Sequence, residues 1–216
     1  MCNLYSHKKS QAELRAIFPK MEDHAGNLQP QSAIFPDGIA PVIRLIPSGY
    51  ELLKMRWGIP GPAVFGGSAI TNIRNTKSGF WKPMLSKPIM RCLVPATSFC
   101  EYNDKPDPET KRKTPFWFAL SEKRPLFFFA GVWKEWEGTR GTKADPVTGK
   151  HLLYSFLTTD ANKVVAPIHA KAMPVMLTEP KEWETWLRAP IDKALELQCP
   201  LPDKMLKVVA SGEKKD

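Results

Sequence analysis

Apolar positions along the chain fall into short runs, and the composition and spacing of each run predict its secondary structure. Val42 to Ile46, Tyr50 to Trp57, Ile89 to Val94, Phe116 to Leu120, Leu126 to Trp133 and Leu152 to Thr158 are rich in β-branched and aromatic residues. Pro, Gly or Ser bound them, which predicts strands. Ser121 to Pro125 separates two of these runs closely enough to predict a hairpin, while the polar stretch from Glu137 to Lys150 predicts a long exposed loop. Helical signals are fewer. Ser10-Gln11-Ala12-Glu13 reads as a capping box ahead of an apolar face of Leu14, Ile17 and Phe18, and Pro19 stops the helix. Thr178-Glu179-Pro180 opens a second helix in which Trp183, Trp186 and Leu187 share a face, and Arg188-Ala189-Pro190 closes it. A short helix around Ala194 to Leu197 and a last strand near Met205 to Val209 follow. No repeat or linker divides the chain, and the elements lack regular βαβ alternation. The predicted fold is α+β: one strand-dominated domain over residues 1–209, mostly antiparallel, then a flexible charged tail over residues 210–216.

Composition adds three constraints. Proline supplies 21 of 216 residues, close to twice the average usage of about 5%, which fits many strand ends and rigid turns. Four cysteines (Cys2, Cys92, Cys100, Cys199) form no CxxC pair in a chain too long to be a disulfide scaffold, so neither zinc nor structural disulfides are favoured. No signal segment or membrane-length apolar run is present, and the expected location is the cytoplasm.

Charge narrows the partner class. The 31 basic and 22 acidic residues give +9, which suits a phosphate-rich partner. The excess is unevenly placed: residues 52–100 hold Lys54, Arg56, Arg74, Lys77, Lys82, Lys87 and Arg91 and not one Asp or Glu. Composition alone fits ordinary fluctuation of surface charge equally well; it is the motifs inside the window, described below, that make it the expected wall of a DNA cleft.

Four stretches could carry chemistry. Trimming of Met1 would make Cys2 the first residue, placing an α-amine (reference pKa about 7.7 to 8.0) and a thiol (about 8.5) on one carbon framework. Such a 1,2-aminothiol condenses with an aldehyde to an imine that the thiol closes to a thiazolidine; it could also serve as an N-terminal nucleophile in hydrolysis. A structural role remains open for Cys2, since free cysteine is among the most buried residue types. Asn72 and Arg74, two apart on an extended segment, would present an amide and a guanidinium on one face. Glu101 ends an almost uncharged run from Cys92, where burial would raise a carboxyl pKa into the range useful for proton transfer. His169 is the one histidine of four set among apolar residues and prolines.

Taken in order, Met1-Cys2, Met55-Arg56-Trp57-Gly58, Asn72-Ile73-Arg74, Arg91-Cys92-Leu93-Val94-Pro95, Phe99-Cys100-Glu101-Tyr102, Ala130-Gly131-Val132-Trp133, Ile168-His169 and Met173-Pro174-Val175 resemble the SRAP family, the SOS-response-associated peptidases. The resemblance spans most of the chain. It implies a barrel-like core and covalent capture of abasic sites in single-stranded DNA by trimmed Cys2, with Asn72, Glu101 and His169 as the other catalytic residues. Asn72 would hold the reacting amine or sugar, Glu101 would act as acid and base, and His169 would assist sugar ring opening. DNA contacts would come from Arg74, Lys77, Arg56 and Trp57. It further implies no metal or organic cofactor, no membrane partner, a monomer, and a nucleoid-associated cytoplasmic location. The chain departs from the family pattern at Asn3 and Leu4, at Thr76 and Asn103, and over Ile59 to Phe65, where the family carries DNA-wedging tryptophans; Phe65 is a candidate substitute. Two other readings fit parts of the pattern: a cysteine-dependent peptidase or hydrolase, and a non-covalent single-strand binder stacking bases on Phe80 and Trp81.

Overall fold

A computed structural model of the chain describes residues 2–65 and 67–216, the side chain at position 65 excepted. Five strands, β4 (Ile39–Ile46), β5 (Gly49–Trp57), β9 (Arg91–Ala96), β12 (Phe127–Gly141) and β13 (Pro146–Thr159), pair in the order β13-β12-β9-β4-β5. A further parallel pairing of β5 with β13, through Arg56↔Leu153 and Trp57↔Tyr154, closes them into a barrel. Closure removes the free edges that an open sheet would expose. The short strands β2 (Glu22–Asp23), β8 (Asn72–Ile73), β14 (Met173–Pro174) and β15 (Met176–Leu177) extend it, and β6 (Ile59–Pro60) pairs with β7 (Ala69–Ile70) as a separate ribbon.

Near-continuous apolar runs in these strands follow from burial on both faces. Val42, Met55, Trp57, Val94, Phe127, Phe129, Tyr154 and Phe156 belong to one core cluster. Their neighbours Ile43, Leu52, Leu93, Phe128, Leu153 and Leu157 belong to a second. The second cluster is covered by four helices: α1 (Gln11–Ile17), α2 (Lys82–Leu85), α3 (Pro180–Arg188) and α4 (Ile191–Leu195). The α1 capping box forms as its sequence predicts, with the Glu13 N–H donating to Ser10 Oγ at 3.2 Å and the Ser10 N–H to Glu13 Oε2 at 2.8 Å. α4 lies earlier than its predicted span, ending at Leu195.

The first cluster is shared with a second sheet, ordered β16 (Lys207–Ser211), β11 (Pro115–Ala119), β10 (Ser98–Tyr102), β1 (Tyr5–His7) and β3 (Gln31–Ile34). β1 runs antiparallel to β10, with Tyr5 opposite Phe99, and the Cys100 N–H donates to Leu4 O at 2.8 Å. The start of the chain is thereby laid along the strand that carries Glu101.

Four expectations are corrected. Ser121–Pro125 makes no hairpin: β11 pairs with β10 and β16, while β12 enters the barrel. Arg124 has a positive φ of 47°, and both strands are buried on both faces, so sheet membership rather than the short link decides their partners. The polar stretch 137–150 is not a loop, because β12 and β13 continue as a paired arm through Gly141↔Pro146. Beyond Trp136 that arm has no apolar alternation to read, and the face of β12 that carries Arg140 is turned to the barrel, where the Arg140 Nε–H bond to Asp37 Oδ1 at 2.9 Å pins it. The end of the chain is not a loose tail: Ser211 pairs with Phe116, the Gly212 N–H reaches Pro115 O at 2.9 Å, and the Asp216 side chain accepts from Ser98 at 2.6 Å and from Arg124 at 2.8 Å. Finally, the basic window does not line one wall. Arg91 is fully buried, donating at 2.7 Å to Trp186 O and 2.6 Å to Ala189 O at the end of α3, and Arg56 is held by Asp37 O at 2.7 Å.

His7 on β1 has both ring nitrogens buried without a hydrogen-bond partner among the described residues. Burial depresses its pKa from 6.5 to about 4, so the folded state excludes the charged ring. Its contribution is fully present above pH 6.5 and is lost as pH falls toward about 4, by up to roughly 3 kcal/mol. The His7→Leu variant should show a smaller loss of stability over that interval than the parent; parallel urea-denaturation curves across pH would contradict this.

Candidate active site

Residue 2 sits at the junction of the two sheets. The Cys2 side chain is fully buried in the cluster that holds Tyr5, Trp57 and Phe99, and its thiol lies 3.5 Å from Leu4 O. Burial first, then the charge of Glu101, holds the thiol well above its ordinary pKa. At rest it is therefore a neutral thiol.

Asn72 reaches Cys2 from the barrel side. β8 pairs in parallel with β13, matching Asn72 to Phe156 and Ile73 to Leu157. Ile73 packs into the helix-covered cluster, so alternation turns Asn72 toward the other face. There Asn72 Nδ2–H donates to Cys2 O at 2.8 Å and to Thr71 Oγ1 at 2.8 Å, while Asn72 Oδ1 is buried with no partner among the described residues.

Glu101 comes from the opposite sheet. On β10 it lies two residues beyond Phe99 and so shares its face. It is buried, and burial pushes its carboxyl from 4.5 up to about 8. His169 Nε2 stands 3.8 Å from Glu101 Oε2. A turn built on Asn162 delivers the histidine: Asn162 Oδ1 accepts the N–H groups of Val164 and Val165 at 3.1 and 3.0 Å, and the His169 N–H closes onto Val165 O at 2.8 Å. The other ring nitrogen, Nδ1, lies 3.2 Å from Asp104 Oδ1, and Asp104 also accepts the Ala170 N–H at 3.2 Å. Burial lowers the His169 pKa, and Asp104 partly opposes that. A buried Tyr5–Tyr154 hydroxyl pair at 2.6 Å completes the surroundings of Cys2.

Cys2, Asn72, Glu101 and His169 therefore converge from four separate segments. The predicted DNA contacts do not all join them. Arg74 lies past the end of β8, exposed and ion-paired with Asp160, and Lys77 is exposed on the following turn. Trp57 is a core residue with no exposed surface, its indole N–H donating to Thr71 O at 3.1 Å, so it offers no stacking face. Trp81 is likewise buried. Met1 and the side chain of Phe65 lie outside the described residues. Asp104 and the tyrosine pair carried no signal in the sequence, because a lone surface aspartate and two core aromatics resemble many others.

The profile of the SOS response associated peptidases (SRAP) matches residues 1–211. The chain belongs to the SRAP family. Solved structures agree on the SRAP fold. A protein from Bordetella bronchiseptica is 21% identical with a TM-score of 0.71, over 98% of each chain. One from Bacteroides thetaiotaomicron is 20% identical with a TM-score of 0.73, over 97% of this chain and 90% of that one. A phage-related protein from B. bronchiseptica is 22% identical with a TM-score of 0.66, over 97% and 92%. No curated protein matches this SRAP chain. Among the described residues no group of three His, Cys, Asp or Glu side chains could hold a metal ion, and no helix is long and apolar enough to cross a membrane.

Proposed function

We propose that this SRAP protein captures abasic sites in single-stranded DNA as a thiazolidine cross-link on Cys2 after removal of Met1. The support lies in one convergence: Asn72 holds the Cys2 carbonyl at 2.8 Å, within a buried pocket whose carboxyl, Glu101, has its pKa raised to about 8.

The steps balance without oxidant or metal. An abasic deoxyribose is mostly a closed hemiacetal, and opening it moves a proton from the C1′ hydroxyl to O4′, a transfer suited to His169 Nε2. The free Cys2 amine then adds to the aldehyde carbon. Glu101, protonated near neutral pH, donates a proton as water leaves and the imine forms. The carboxylate so generated can accept the proton of the buried Cys2 thiol as sulfur adds to the carbon of the iminium, whose nitrogen keeps its one remaining proton and becomes the neutral ring N–H. Aldehyde and aminothiol are consumed, and thiazolidine and one water are produced. Asn72 fixes the nucleophile through its amide, and its unpartnered Oδ1 is placed to accept from the amine or a sugar hydroxyl.

Arg74 and Lys77 follow Asn72 directly and would meet the flanking phosphates. The Arg74–Asp160 pair is exposed, so exchanging Asp160 for a phosphate costs little. Incubation with an abasic-site oligonucleotide and a denaturing gel tests the reading. A retarded band with the mass of protein plus DNA minus one water supports it, and wild-type protein that yields no such band rejects it.

Asp104 acts through His169. Its carboxylate accepts a hydrogen bond from Nδ1–H, which holds the tautomer whose Nε2 faces Glu101. The Asp104→Asn variant should lower the His169 pKa, read by imidazole NMR titration, and slow cross-linking about tenfold with binding of intact single strands unchanged. An unmoved His169 titration would remove Asp104 from this role.

A further inference from the structure

The back of the second sheet carries a cleft that the site above does not use. Its lining includes Tyr102, Thr110, Arg112, Lys113, Thr114 and Lys214, and no acidic side chain. Tyr102 follows Glu101 on β10 and therefore points to the opposite face, where it packs beside Leu4, Cys100 and Trp117 and remains half exposed.

Both walls are built rather than loose. One is the link between β10 and β11. Its base is fastened by the Asn103 N–H to Thr114 O at 3.1 Å and the Thr114 N–H to Asn103 Oδ1 at 2.7 Å. At its tip Asp107 Oδ1 accepts the N–H groups of Glu109 and Thr110 at 3.0 and 2.7 Å, and Lys111 adopts a left-handed φ of 57°. The other wall is the end of the chain, held by the Gly212 N–H to Pro115 O and by the Trp117 indole N–H to Glu213 O, each at 2.9 Å. Arg112, Lys113 and Lys214 are exposed, and among the described residues no carboxylate lies within ion-pair distance of them.

Three cations with no carboxylate in direct ion-pair contact among the described residues, Lys113 alone feeling Asp104 at longer range, are held around one tyrosine ring and match a single nucleic-acid strand: spaced phosphates with a base to stack. We infer that this cleft binds the phosphodiester backbone of single-stranded DNA running from the Cys2 site around the edge of the second sheet, with a base on Tyr102. This rests on the proposed function and adds a second track to it. The link is short: Asp104, which contacts His169, lies between Glu101 and the basic wall, and Lys113 is close enough to act on its carboxylate.

The test uses full-length protein and an intact, base-containing single-stranded oligonucleotide, so that binding is read separately from chemistry. The triple variant Arg112→Gln, Lys113→Gln, Lys214→Gln should weaken binding by about tenfold at moderate salt and lower the slope of log K against log salt by about two. Tyr102→Ala should weaken it by at least fivefold, with Tyr102→Phe near wild type. A charge-matched triple, Lys20→Gln, Lys181→Gln, Lys204→Gln, sits on other surfaces and should leave the slope nearly unchanged. Equal losses in both triples would overturn the inference in favour of net charge alone. Displacement of the oligonucleotide by an equimolar polyglutamate peptide would overturn it in favour of an acidic protein partner. Failure of wild type to cross-link abasic DNA strikes at the proposed function instead, and an unchanged salt slope in the first triple with normal cross-linking strikes only at this cleft.

Discussion

Cys2→Ala is expected to abolish the stable DNA cross-link, a loss of more than about a thousandfold, while leaving binding of intact single strands in place. The size follows from ring closure: with amine and thiol on one residue the second step is intramolecular, and effective molarities of well-oriented pairs reach about 10⁵ M or more. Alanine keeps the α-amine and can still form an imine, which borohydride would trap. Without borohydride the imine hydrolyses and the denaturing gel shows free DNA. Cys2→Ser should behave in the same way, since a hydroxyl closes to a far less persistent ring. A wild-type protein whose Met1 is retained behind an uncleaved tag should also fail, because its Cys2 nitrogen is an amide; intact mass before the assay reports that state. A persistent band with Cys2→Ala would reject the thiazolidine. Product release from peptides alone, abolished by the same substitution, would favour a hydrolase.

Glu101→Gln carries the second large effect, and it has two opposite signs. Cross-linking should slow by about 10² to 10⁴, the usual range for a positioned acid or base. The wild-type rate should rise with pH as the Cys2 amine loses its proton and fall again as Glu101 ionises near 8, whereas the variant should keep only the rising limb. Stability should move the other way. A buried carboxyl with its pKa raised from 4.5 to about 8 carries no penalty below pH 4.5 and an increasing one up to about 8, amounting to roughly 3 kcal/mol at pH 7. Glu101→Gln should therefore melt higher than wild type at pH 7 to 8 and alongside it near pH 4. Equal melting temperatures at pH 8 would show that Glu101 is not held neutral.

The opposition of these signs has a structural origin. Glu101 could reach solvent-like stability on the exposed end of β10, but its place on the strand turns it to the same face as Phe99, into the cluster that holds Cys2. Under the proposed function the pocket keeps a destabilising carboxyl because imine formation requires a neutral acid near pH 7. His169, fastened by Asn162 and Asp104, and Asn72, fastened by β8, hold their positions by backbone and side-chain bonds outside the reacting groups.

Much of this was legible in the sequence. Local signals act over a few residues, so the Ser10–Glu13 capping box, the Pro180 helix start and the six apolar strands are visible without tertiary information. The four residues that converge on the candidate site were visible too, as motifs in order along the chain. Other features depend on partners distant in sequence. Whether Phe116–Leu120 pairs with Leu126–Trp133 is decided by which sheet buries each strand, and both are apolar on both faces. The 137–150 arm is polar but for Ala144, Pro146 and Val147, so only its cross-strand register and the Arg140–Asp37 clasp mark it as paired β-structure. Arg56, Arg91 and Trp57 carry the same side chains whether they meet DNA or the core; burial against Asp37, Trp186 and Tyr154 assigns them to the protein itself. The charged tail looked solvated because composition does not show that Asp216 meets Arg124 and Ser98. The sequence by itself determined the strand-rich class and singled out the candidate residues, since propensity and motif are local. Only the tertiary structure decided that Cys2, Asn72, Glu101 and His169 share one pocket and that the basic surface lies at Arg112, Lys113 and Lys214, because proximity and desolvation arise from closing the barrel against the second sheet.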